Sequence, residues 1–201
     1  MMKRSIFILL IGGLLGTGMP SNADPTSQTI SSYHGHPNRS GNFVVPSLTW
    51  DRARSLHLDE GFHPQIAGHV YAQPLYWHAR GSNGAILVVA TEDNVAQAID
   101  AATGAEVWRR SLGKPVPRSS LPCGDIDPLG ITGTPIIDET TEAIYLDAAV
   151  DAPSGLRHLV FALSLKDGSV LPGWPVDVGE ALKAEGQEFS RHEPGLSGCT
   201  D

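Results

Sequence analysis

The chain has 201 residues, 41% of them hydrophobic, with 22 glycines, 15 prolines and a formal charge of −8. This composition excludes a disordered polymer, and the acidity excludes nucleic acid and anionic membrane surfaces as electrostatic partners. The abundance of glycine and proline favours a turn-rich, all-β chain over a helical one.

The first segment reads as a leader. Lys3 and Arg4 precede an apolar stretch from Ile6 to about Met19, and Ser21-Asn22-Ala23 offers small residues where a signal peptidase cuts. The alternative is a membrane anchor, but the stretch falls short of the ~20 apolar residues a span needs. Residues 1–23 are therefore expected to be a signal peptide and the protein to be exported, periplasmic or secreted, with no stable membrane span after cleavage. Cleavage removes Lys3 and Arg4 and takes the charge from −8 to −10. No cysteine follows the apolar run, which argues against a lipid-anchored N-terminus.

A polar entry segment runs from Asp24 to Gly41. It contains His34-Gly35-His36 and Asn38-Arg39-Ser40, formally a glycosylation sequon that matters only in a eukaryotic secretory route. The strand-like runs begin after it. His69 to Trp77 is rich in β-formers but broken by Pro74, which points to a sheet edge or a strand start. Ile86 to Thr91 is a continuous apolar run of buried-strand type. Asn94 to Asp100 alternates weakly, Thr103-Gly104 is a turn, and Ala105 to Trp108 is a closing strand. The cycle then restarts. Pro135-Ile136 answers Pro74-Leu75, Ala143 to Leu146 answers Ile86 to Val89, Leu159 to Leu163 answers Val95 to Ile99, and Lys166-Asp167-Gly168 answers Ala102-Thr103-Gly104. The offset is 61 residues between the prolines and 64 between the turn glycines. A plain propeller blade takes ~40–50 residues, so each unit carries insertions, notably Ser111 to Gly130. Glu180 to Phe189 can make a short helix, and the remaining text to Asp201 has no strand pattern.

Each repeat is a small antiparallel sheet that cannot bury both faces alone, and stacking neighbours about an axis covers them. A terminal tryptophan, large and flat with one N–H to satisfy, suits the seam between such sheets. The expected fold is all-β: a partial β-propeller of about two four-stranded antiparallel blades plus a leading strand. A β-sandwich with two chance Trp hairpins is the competing fold.

The first closing motif, Ala98, Asp100, Thr103, Gly104 and Trp108, is similar position by position to the Ala-x-Asp-x-x-Thr-Gly-x-x-x-Trp signature of the quinoprotein-like (PQQ repeat) β-propellers. The second matches at Ala162, Gly168 and Trp174, with Ser164 in place of the aspartate and two extra residues before the tryptophan. Gly130 to Asp138 resembles a blade-opening segment of exported members. The resemblance spans roughly Tyr33 to Asp177, and the blades are expected over 24–188 with an unstructured tail over 189–201. It implies a ring of six to eight blades, for which two units are too few, so the chain is expected to be a truncated product of a longer propeller gene. Exposed sheet edges and blade faces would then drive self-association, or pairing with another protein or with the remaining propeller blades.

The resemblance also implies a cofactor, pyrroloquinoline quinone (PQQ) with calcium, in a complete ring that also presents adjacent disulfide-bonded cysteines. This chain has only Cys123 and Cys199, which are not adjacent; a disulfide between them and two unpaired thiols both remain open. No catalytic or metal position carries over. His34, His36, His63 and His69 have no ligand spacing or nearby thiolates. Asp125 and Asp127 in Cys123-Gly124-Asp125-Ile126-Asp127 read as turn-capping carboxylates, being too few for a calcium loop. Gly195-Leu196-Ser197-Gly198 lacks the last glycine of a nucleophile elbow. Two functions follow: an exported binding or scaffolding repeat module, or a fragment of a periplasmic PQQ-dependent dehydrogenase oxidising alcohols or sugars.

Overall fold

The architecture follows from eight short runs of β-forming residues separated by turn residues. In the computed structural model, which describes residues 29–187 except 37, 46 and 80–83, these runs form two four-stranded antiparallel sheets. The leader 1–23, the tail 189–201 and Gly195–Gly198 lie outside the described residues. The first sheet holds β1 (Leu75–His78), β2 (Ala85–Ala90), β3 (Val95–Asp100) and β4 (Glu106–Ser111). The second holds β5 (Ile136–Asp138), β6 (Ala143–Ala152), β7 (Gly155–Ser164) and β8 (Val176–Asp177). In both sheets spatial order equals chain order, so each is a meander. Two short helices flank them, α1 (Trp50–Arg54) and α2 (Val178–Ala184).

Pro74 and Pro135 each stand just before the first strand of a sheet, where a missing N–H is harmless. The expected leading strand is reduced to one bridge, Ile30 to Tyr76. Residues 30 and 31 nevertheless reach both sheets. Ile30 N–H donates to Tyr76 O at 2.7 Å, and Ile137 N–H donates to Ser31 O at 2.8 Å.

The core lies between the sheets. Strand register puts Leu75, Val88, Ala98 and Trp108 in one row on the first sheet, with Ala90 and Ala96 on the same face. They pack with Ile137, Ile144, Leu146, Phe161 and Leu163 of the second sheet in one buried apolar cluster. Burial of side chains this size stabilises by about 1.5–3 kcal/mol each. The two packed rows are not equivalent within the repeat. Leu75 directly follows its proline, whereas Ile137 is the second residue after Pro135. Because successive strand residues point to opposite faces, the first sheet presents one face of the repeat and the second sheet meets it with the other. The stacking is front to back.

The outer face of the first sheet is covered by the chain that precedes it. Gln97 Nε2 donates to Gln65 O at 2.8 Å, Arg109 Nη2 donates to the same carbonyl at 3.2 Å, and Phe62, His63 and Pro64 border Gly104. The outer face of the second sheet carries Ile136, Tyr145, Ala162 and Val176, with Ile136 57% exposed.

Candidate functional site

The candidate site is the seam between the sheets, built from the closing turn of each. Between β3 and β4 the Asp100 N–H donates to Ala105 O at 2.8 Å and the Gly104 N–H donates to Asp100 O at 2.9 Å. The second turn repeats this geometry: Ser164 N–H to Ser169 O at 2.9 Å and Gly168 N–H to Ser164 O at 2.9 Å. Gly104 and Gly168 occupy φ +75° and +67°, a region that costs other residues strain.

The motif's polar residues knit the turns. Asp100 Oδ1 accepts from the Ala102 and Thr103 N–H groups and from the Thr103 hydroxyl, and Thr103 Oγ1 accepts from the Ala105 N–H. The Thr103 hydroxyl and N–H hold the Asp100 carboxyl below its ordinary value. In the second turn Ser164 Oγ accepts from the Lys166 N–H at 3.2 Å, taking over one of Asp100's bonds. Asp167, at the place of Thr103, accepts from the Ser169 N–H as Thr103 does from the Ala105 N–H. The Ser169 hydroxyl and N–H lower its pKa to about 2. The departure at Ser164 is thus absorbed locally.

A β-bulge between Ala98 and Ile99 leaves Val107 unpaired and sets Trp108 opposite Ala98. Trp108 is buried and its indole N–H donates to Leu165 O, in the second sheet's turn, at 2.8 Å. Its ring rests on Gly168: a Cβ there would lie 2.5 Å from Trp108 Cε3. Arg110 Nε donates to Gly168 O at 2.8 Å. The structure therefore joins the tryptophan of the first motif to the glycine of the second. Ala98, fully buried opposite Trp108, gives the small strand position that permits close approach, whereas Ala162, equally buried, lies on the outer face of the second sheet. Trp174 behaves differently. It lies outside β8 and packs edge-on against Tyr145 of its own sheet, centroids 5.6 Å apart. Pro172 and Gly173 are the extra residues that leave it just ahead of β8, whereas Trp108 lies within β4.

A second tie closes the other end of the seam. Glu92 and Asn94, in the β2–β3 turn, are fully buried. Glu92 Oε2 accepts from the Gly130 N–H at 2.6 Å, and Asn94 Nδ2 donates to Ala149 O, in β6, at 2.7 Å. Gly130 abuts the Glu92 carbonyl so closely that a Cβ has no room. Thr91 Oγ1, Glu92 Oε1, Asn94 Oδ1 and Gln97 Oε1 have no partner among the described residues. Sequence reasoning missed Glu92, Asn94, Arg110 and Leu165, since their partners lie 38 to 58 residues away. Gly130 was visible only as part of a strand-opening segment.

The other singled-out residues stay apart. His34 Nδ1 meets Arg39 O at 2.8 Å and its ring stacks on Tyr33, while His36 Nε2 meets Asn42 O at 3.1 Å. His63 and His69 are exposed. A shallow hollow is lined by His36, Asn38, Ser40 and Asn42. Asp127 Oδ1 caps the Arg118 N–H at 3.0 Å, and Cys123 is disulfide-bonded, while Cys199 lies outside the described residues. Among the described residues no group of three or more His, Cys, Asp or Glu side chains is placed to hold a metal, and no helix is long and apolar enough to cross a membrane. No protein-family model matches the chain, and no curated protein matches it either.

Proposed function

We propose that the two sheets are neighbouring blades of a quinoprotein-like, PQQ-repeat β-propeller, and that the chain is an exported, non-catalytic module that binds or scaffolds other macromolecules. One observation carries the reading: Trp108 of one motif sits on Gly168 of the next and donates to Leu165 O. A rotational repeat needs each unit to offer its neighbour the opposite face, and front-to-back stacking meets that need. Loops held on such a rigid stack are where binding surfaces form, and the insertion from Ser111 to Gly130 is the longest here. The partner is another protein, further blades, or a second copy.

The dehydrogenase alternative requires PQQ and calcium on the ring axis. The edges of β1 and β5 that would face this axis carry residues 30–34 of the same chain: Ile30 pairs with Tyr76, Ser31 O accepts from Ile137, and the His34 N–H donates to Gln73 Oε1 at 3.0 Å. These residues do not fit the quinone. Incubation with PQQ and calcium tests this: no dye-linked oxidation of alcohols or sugars is expected, and turnover would overturn the non-catalytic reading. Export is tested on protein recovered from the periplasm. Asp24 is expected as its first residue, and retention of residues 1–23 would contradict cleavage.

A further inference from the structure

We propose that residues 62–69 are a built-in stop, a strap that fills in cis the seat of a preceding blade and keeps the chain from associating through its first sheet. The inference rests on the stacked-blade reading and adds to it which end of the stack is closed. In the seam, Leu146, Phe161 and Leu163 of the second sheet pack with the row that ends in Trp108. Their counterparts in the repeat are Val89, Gln97 and Ile99, which lie on the outer face of the first sheet. Among the described residues no third sheet stands there. Yet Val89, Gln97 and Ile99 are only 3%, 1% and 1% exposed, and all three lie outside the cluster between the sheets.

The strap is their cover, and it crosses this face from one turn to the other. At the closing turn Phe62 borders Gly104, where a Cβ would lie 3.4 Å from Phe62 Cδ2. Midway, Gln65 O accepts from Gln97 Nε2 and Arg109 Nη2. At the β2–β3 turn His69 O accepts from the Glu92 N–H at 3.0 Å, and a Cβ on Gly68 would lie 2.8 Å from the Asp93 carboxylate. Seven extended residues reach about 23 Å, enough to run the length of a six-residue strand. Two residues fit this seat to a strap rather than to a blade. Phe62 takes at Gly104 the place that Trp108 takes at Gly168. Gln97 stands where the second repeat has Phe161. A buried amide is ill matched to an apolar neighbouring sheet, whereas the strap's Gln65 carbonyl satisfies it. The strap's exposed side chains are His63, Gln65 and His69 with Ala67 and Ile66, a mostly polar outer surface of the kind that ends repeat stacks. A blade approaching the first sheet would have to displace it.

Two variants of the full chain test this, Phe62→Ser and Gln97→Leu, the second keeping the side chain's size while removing its bond to Gln65 O. Thermolysin cleavage before Ile66 reads the release of the strap, and sedimentation velocity reads association. Both variants should keep the far-ultraviolet dichroism of wild type, and if one loses it the other decides. Cleavage should quicken by about fivefold or more in each, and each should associate at lower concentration than wild type, because a freed strap uncovers Val89 and Ile99. Unchanged cleavage would show that Phe62 and Gln97 do not hold the strap. Quicker cleavage with association no stronger than wild type would show that the strap covers the sheet without acting as a stop. Either result overturns the proposal. The stacked-blade reading is read separately, from the energetic coupling between Trp108 and Gly168 within one chain: its persistence beside a failed strap leaves the stack standing, and its absence removes the stack itself.

Discussion

Trp108 is the residue on which the two sheets depend most. Its ring fills the seam, and its N–H is satisfied by a carbonyl of the other sheet. Trp108→Ala is expected to cost about 3–5 kcal/mol, read from urea unfolding, because it removes a large buried ring and orphans Leu165 O. Trp108→Phe keeps most of the volume and should cost less, the difference reporting the lost hydrogen bond. A carboxylate supplies a pH test. Asp167 is held at about 2 against an ordinary 3.8 by the Ser169 hydroxyl and N–H and by Ser164. The folded state thus favours its ionised form. Its contribution is complete above about pH 4 and is lost as pH falls towards 2. The Asp167→Asn variant should therefore lose less stability than wild type between pH 5 and pH 2.5, as followed by urea midpoints. Equal losses would show that this turn does not hold its carboxylate.

At the scale of elements, the order of strands was legible because their punctuation is local. Proline at each sheet's start, glycine in each closing turn and an apolar run between them depend only on near neighbours. The closing turn survives the Asp100-to-Ser164 change because a serine hydroxyl accepts one of the same backbone bonds, while Asp167 keeps the bond that Thr103 makes in the first turn. What the letters did not reveal is the second role of Gly168. Its positive φ is a local property, but its place beneath Trp108 is a contact across 60 residues. The β2–β3 turn was hidden for the same reason: Glu92 and Asn94 read as ordinary turn residues until Gly130 and Ala149 are set beside them. Trp174 shows how sensitive the pattern is to spacing. Two inserted residues carry it off the closing strand and onto Tyr145. The Glu92 tie makes its own prediction. Glu92→Ala strands the buried Gly130 N–H and should destabilise by about 1–3 kcal/mol, whereas Glu92→Gln, which keeps an acceptor, should cost less in the same unfolding assay.

For the whole molecule, two small sheets share one core, and neither has an obvious means of burying its apolar face alone. Unfolding should accordingly be a single transition, with far-ultraviolet dichroism and tryptophan fluorescence changing together. Separate midpoints would mean that the sheets fold independently and that the seam is incidental.

The central claim is that the tryptophan of one repeat seats on the glycine of the next, and a double-mutant cycle between Trp108→Ala and Gly168→Ala measures it directly. The backbone strain of an alanine at φ +67° is present in both backgrounds and cancels. With Trp108 in place, the added methyl also meets the indole ring. The cost of Gly168→Ala should therefore fall by about 1 kcal/mol or more once Trp108 is gone. Equal costs in the two backgrounds would mean that the ring and the glycine do not touch, and the stacked arrangement would be wrong.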